Sequence, residues 1–186
     1  MCSLKEVTFS GCDALDSYNC PNSVESLEIR DCDSLTSLTF SAMQEHPLPL
    51  TESIISDFNN IKSDKPIPTY RLTSLQIRYC QNLKSFPHEH FQCLTSLEEL
   101  WIYECPRVVS FAVANDVRNT TSSSSSFLLP PSLVSLELHD FVDVESFSEV
   151  LQHLPCLKTL YIRSCPKITD LVTIYDPSNL TIDVWE

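Results

Sequence analysis

Apolar residues in this chain recur in a fixed phrase. It is apolar at its first, fourth, sixth and twelfth positions, carries cysteine at the ninth, and is mostly polar between. The first copy runs Leu4, Val7, Phe9, Cys12, Leu15 and the second Val24, Leu27, Ile29, Cys32, Leu35. A third runs Leu72, Leu75, Ile77, Cys80, Leu83, and a fourth Leu97, Leu100, Ile102, Cys105, Val108. Then come Leu133, Leu136, Leu138, Phe141, Val144 and finally Leu157, Leu160, Ile162, Cys165, Ile168. Apolar fourth and sixth positions between polar neighbours alternate with period two, the signature of a strand with one buried face. The phrase therefore predicts strands near 7–9, 27–29, 75–77, 99–102, 135–138 and 159–162. Leu180, Ile182 and Val184 repeat the alternation and predict a closing strand over 180–184.

The interval from Cys32 to Cys80 spans about two periods, and Leu50, Ile55, Phe58 and Ile61 supply a degenerate copy with a strand near 53–56. In it Ser53 stands where an apolar residue belongs, and Phe58 replaces the cysteine as Phe141 does later. Ninth-position anchors then lie 20, 26, 22, 25, 36 and 24 residues apart. The long interval contains the polar run Asn115 to Ser126, which has too little apolar content to pack and reads as a surface insertion, 115–126. The paths of 41–70 and 112–131 stay open at this stage.

One such unit cannot bury its inward face alone, but a stack of parallel strands about 4.8 Å apart buries a continuous core. Repeats of this length and pattern predict a leucine-rich-repeat solenoid: a single domain over 1–186, a parallel β-sheet on the concave face, and about seven coils plus a terminal strand. Prolines at 47, 49, 66, 68, 87, 130 and 131 disfavour long helices on the convex face, leaving irregular loops and short helical turns near His88 to Leu94 and Ser148 to Leu154. The ninth position sits where the chain leaves the strand. A structural ladder of Cys12, Cys32, Phe58, Cys80, Cys105, Phe141 and Cys165 is expected there, with the thiols acting as small apolar fillers and weak donors to the turn.

Composition removes most catalytic schemes. A single glycine, Gly11, cannot write a phosphate-cradling loop, a dinucleotide fingerprint or a nucleophile elbow. No set of acid, base and nucleophile converges, so no enzyme, cofactor or metal is expected. His88 and His90 lack the further ligands a closed metal site needs. A net charge of -13 opposes a phosphate backbone, so nucleic acid is not an expected partner. No apolar run has membrane-spanning length and no secretory signal is visible, which places the expected location in the cytoplasm or nucleus with the nine cysteines reduced.

The outward positions of successive strands form the one surface on which several copies converge. Its aromatic and arginine-rich part comprises Arg78, Tyr79, Trp101, Tyr103, His139, Tyr161 and Arg163. Three of the six arginines fall on the seventh-position row (Arg30, Arg78, Arg163) despite the acidic average. Exposed aromatics beside arginines are the composition of protein-binding hot spots, so a protein ligand is expected on this face.

The phrases LTSLQIRYCQNLKSF (72–86), LEELWIYECP (97–106) and LKTLYIRSCPKITD (157–170) resemble the C-terminal leucine-rich repeats of plant nucleotide-binding disease-resistance proteins. That resemblance implies recognition of a pathogen effector or a guarded host protein, and restraint of a nucleotide-binding domain if the chain belongs to a longer receptor. No G-x-x-x-x-G-K-[ST] element stands in the chain itself. CPKITD (165–170) also partly resembles the cysteine-containing repeats of F-box proteins, which implies the alternative role of selecting substrates for ubiquitination.

Overall fold

The computed structural model describes residues 4–40, 70–84, 94–108, 129–141, 151, 153–165 and 181–185. Its main element is a seven-stranded, all-parallel sheet. The strands are β1 (Glu6–Ser10), β3 (Ser26–Arg30), β5 (Ser74–Arg78), β6 (Glu99–Tyr103), β7 (Ser135–His139), β8 (Thr159–Arg163) and β9 (Thr181–Trp185), paired in that order. Register is unbroken: Val7, Leu27, Leu75, Leu100, Leu136, Leu160 and Ile182 form one row across the sheet. Phe9, Ile29, Ile77, Ile102, Leu138, Ile162 and Val184 form the next. From β3 to β8 both rows are buried and their neighbours are partly or fully exposed, as the period-two pattern requires.

Six of the expected strands and the closing one lie where the phrase puts them. The expected coil between Cys32 and Cys80 needs correction. Residues 53–56 and Phe58 lie outside the described residues, and the place reserved for their strand is taken, because β3 pairs directly with β5. Among the described residues the sheet therefore has seven strands, β1, β3, β5, β6, β7 and β8 followed by the closing β9. The insertion at 115–126 and the turn at His88 also lie outside the described residues. At the second expected turn, Leu151 is helical and its carbonyl accepts the Leu154 N–H at 3.1 Å.

The first two coils carry an unforeseen second sheet. Strands β2 (Ser17–Cys20) and β4 (Ser37–Phe40) pair in parallel, with Tyr18 opposite Leu38 and Cys20 opposite Phe40. Leu38 and Phe40 are fully buried in the same core as Leu27 and Ile29. Phe9 of β1 meets Tyr18 of β2 edge-on at 4.8 Å, so the two sheets close over the core of the first coil.

Each coil leaves its strand through a residue with positive φ: Gly11, Asp31, Tyr79, Glu104, Asp140 and Ser164. Only one is glycine, although the left-handed region disfavours a Cβ. From Gly11 to Asp140 each of these residues bonds through its N–H to a carbonyl of the next coil. The N–H of Gly11 reaches the Arg30 carbonyl at 3.0 Å, that of Asp31 the Arg78 carbonyl at 3.1 Å, and that of Tyr79 the Tyr103 carbonyl at 3.0 Å. The ladder thiol then donates to the same row of carbonyls: Cys32 to Arg30 at 3.3 Å, Cys80 to Arg78 at 3.4 Å, Cys105 to Tyr103 at 3.2 Å and Cys165 to Arg163 at 3.3 Å. Phe141 brings no thiol, and the His139 carbonyl of that coil receives the longest of these N–H bonds, 3.4 Å from Glu104.

Burial pushes Cys20 up to about 11 and raises Cys32 and Cys165 as well, and Cys105 is raised by its hydrogen bond to Cys80 and by burial. Thiolate is the reactive form, so these groups are protected twice, by burial and by protonation. Among the described cysteines, iodoacetamide at neutral pH is expected to modify the exposed Cys156 first. Cys20, Cys32, Cys105 and Cys165 should react only once urea unfolds the chain. Rapid native labelling of Cys32 or Cys105, read by peptide mass spectrometry, would contradict the ladder.

Candidate recognition surface

Register alone assembles this surface. The fifth positions Gln76, Trp101, Glu137 and Tyr161 stand side by side on β5 to β8, as do the seventh positions Arg78, Tyr103, His139 and Arg163. Residues separated by 24 or more positions in sequence thus become neighbours about 4.8 Å apart. The core rows beneath them fix the backbone, so the outward side chains project from a rigid platform.

Arg78 is the centre of the cluster. Its guanidinium carbon lies 5.9 Å from the Trp101 ring centroid and 5.2 Å from that of Tyr103, within cation–π range of both. Its Nη2 donates to Gln76 Oε1 at 2.8 Å. Arg78 Nε and the Trp101 indole Nε1 are buried without a hydrogen-bond partner among the described residues. Each is a donor whose desolvation is uncompensated, a cost on the order of 1–3 kcal/mol.

Tyr103 links the cluster to the next coils. Its hydroxyl donates to Glu137 Oε2, and its ring packs on His139 with centroids 4.1 Å apart and planes tilted by 33°. Desolvation first, then the Glu137 carboxylate, raises the Tyr103 phenol well above its usual range, so it stays a donor at every physiological pH. Tyr79 protrudes from its left-handed turn, 41% exposed. Tyr161 is half-buried and Arg163 exposed, with no side-chain contact to the stack recorded among the described residues. Four of the seven expected residues, Arg78, Trp101, Tyr103 and His139, are therefore knitted into one group; Tyr79 and the pair Tyr161 and Arg163 flank it. Gln76 and Glu137, which orient Arg78 and Tyr103, were not singled out by the sequence. The signal for them was their fifth-position register beside Trp101.

Desolvation lowers the His139 pKa; Glu137 opposes this and Arg163 reinforces it. A histidine whose folded pKa is depressed keeps its stabilising contribution above the unfolded pKa of about 6.5 and loses it as pH falls through the lower folded value, because the unfolded chain takes the proton first. Stability should therefore drop modestly as pH falls from 7 toward 5, with part of the slope absent in His139→Gln. Urea midpoints measured at both pH values check this; identical slopes would place His139 in an ordinary solvated setting.

Among the described residues no group of three or more histidine, cysteine, aspartate or glutamate side chains is arranged to hold a metal ion, and no helix is long and apolar enough to cross a membrane. Comparison with known proteins adds a family. The profile described as plant disease resistance protein RPS2-like, leucine-rich repeats, matches residues 46–181. A solved leucine-rich repeat domain, that of the type III effector XopL, is similar at 19% identity and a TM-score of 0.42, over 98% of this chain and 69% of that one. No curated protein matches.

Proposed function

Because the chain belongs to the RPS2-like leucine-rich repeats of plant disease resistance proteins, we propose that it is the effector-sensing and autoinhibitory repeat region of an intracellular immune receptor. Repeat domains of this kind are in general recognition modules without catalysis. The observation that carries the proposal is the preassembled Arg78, Trp101, Tyr103 and His139 cluster on the concave sheet. Ordering aromatic and arginine side chains before a ligand arrives lowers the entropy cost of binding, and such residues supply most of the affinity in protein interfaces. The seven residues Arg78, Tyr79, Trp101, Tyr103, His139, Tyr161 and Arg163 are the proposed contact set, with a pathogen effector or a guarded host protein as the ligand and the cytoplasm or nucleus as the place.

The autoinhibitory half of the proposal requires a nucleotide-binding switch on the same polypeptide. The natural transcript, sequenced through its 5′ end, tests it. An in-frame G-x-x-x-x-G-K-[ST] domain upstream of Met1 is the expected result, because it supplies the switch that the repeats restrain. An in-frame F-box would assign the same repeats to a ubiquitin-ligase adaptor and overturn the immune-receptor reading.

A further inference from the structure

The chemistry of the ligand is legible in how the cluster spends its charges; this step rests on the reading of the concave face as a recognition surface. Arg30, Arg78 and Arg163 share the seventh-position row. Arg30 is already satisfied, since its Nη2 donates to Ser10 Oγ at 3.2 Å and its Nε lies 3.4 Å from Asp31 Oδ2. Arg78 is not. Beside it stand a neutral amide, two aromatic faces and, in register on β3, Arg30, and its Nε has no partner among the described residues. Arg163 is exposed, and no side-chain hydrogen bond or ion pair is found for it among the described residues. The carboxylate between them, Glu137, already accepts the Tyr103 hydroxyl. On β9 the register partners of Tyr161 and Arg163 are Asp183 and Trp185.

We propose that the partner lays an extended segment across β5 to β8 and presents two carboxylate side chains four residues apart, one to Arg78 and one to Arg163. Three inter-strand steps of about 4.8 Å along this row separate Arg78 from Arg163 by ~14 Å. An extended peptide rising about 3.3 Å per residue covers ~13 Å in four residues and returns its side chains to the same side. The residue midway between the carboxylates then falls over the Tyr103 and His139 rings, where an apolar or aromatic side chain fits. Arginine forks bind carboxylates bidentately, which gives direction as well as affinity. Glu104 and Asp140, at the eighth positions beside this row, repel a carboxylate that misses an arginine and so narrow the register of binding.

A random twelve-residue peptide library displayed on phage, selected on the intact chain, tests the proposal. The expected winners carry Asp or Glu at two positions four apart, with an apolar or aromatic residue between. Synthetic copies of them should bind Arg78→Gln at least tenfold more weakly, and Arg78→Lys by an intermediate factor, since lysine keeps the charge without the fork. Arg163 is exposed, so Arg163→Glu leaves the core untouched; selection on it should replace one acidic position by lysine or arginine. Winners that depend on Trp101 but lack paired acids, or carry basic residues instead, would overturn the acidic partner and leave protein recognition standing. Winners indifferent to Trp101→Ala, Arg78→Gln and Arg163→Glu alike would overturn both.

Discussion

Leu100→Asp is expected to abolish cooperative folding of the array. Leu100 is fully buried on β6, in register between Leu75 of β5 and Leu136 of β7, so an aspartate there faces apolar side chains from both neighbouring coils. Losing a leucine's burial costs about 1.5–3 kcal/mol. An uncompensated buried carboxylate adds several more, or forces protonation at a similar cost. Together these approach the whole stability of an ordinary domain, roughly 5–15 kcal/mol. Topology amplifies the damage, because coils touch only their neighbours and a break at β6 separates β1, β3 and β5 from β7, β8 and β9. Leu100→Ala leaves a cavity in place of a charge and should cost about 2–5 kcal/mol while still folding. Circular dichroism with urea denaturation distinguishes the two. Wild-type melting of Leu100→Asp would mean that the inward row has been misplaced.

The second large effect falls on binding. Trp101→Ala and Arg78→Ala should each weaken a cognate protein ligand at least about tenfold, the scale of an interface hot spot. Both variants should keep a cooperative melt, since neither side chain belongs to the buried rows. The two losses should not add. Arg78 stacks on Trp101, so removing either ring or guanidinium already loosens the other, and the double variant should lose less than the sum. Titration calorimetry on the single and double variants reads this coupling; strict additivity would mean that the two residues act as independent contacts and not as one group.

Strand positions, inward rows and the thiol ladder could be read from the sequence because each depends on residue type at a fixed spacing. Leucine at the fourth position, isoleucine at the sixth and cysteine at the ninth say which way a side chain points without knowledge of its neighbours. Three features depended on information the spacing does not hold. The left-handed residue at the eighth position varies among Asp31, Tyr79, Glu104 and Asp140, which share an N–H bond to the next coil but no side-chain type. The small sheet of β2 and β4 rests on the four-residue segments Ser17–Cys20 and Ser37–Phe40, too short for periodicity to register. The degenerate copy near Phe58 had a plausible length and apolar content, yet the direct pairing of β3 with β5 leaves no slot for its strand in the sheet.

The candidate surface was half legible. Which residues face outward followed from alternation, and all seven do stand at the outward or turn positions assigned to them. Their mutual contacts did not follow. The Tyr103 hydroxyl bond to Glu137 spans 34 residues and exists only once β6 and β7 are in register. Side-chain chemistry on a repeat surface is written across coils, so it becomes readable only after the coils are aligned.

Hydroxyl-radical footprinting of the intact chain, free and bound to a selected ligand, tests the central claim most directly. Protection of Trp101, Tyr103, Tyr79 and Tyr161 on the concave sheet, with Tyr18 of β2 unchanged, is the predicted result. Protection at Tyr18 with the concave aromatics still reactive would move recognition to the opposite side of the coils and contradict the account.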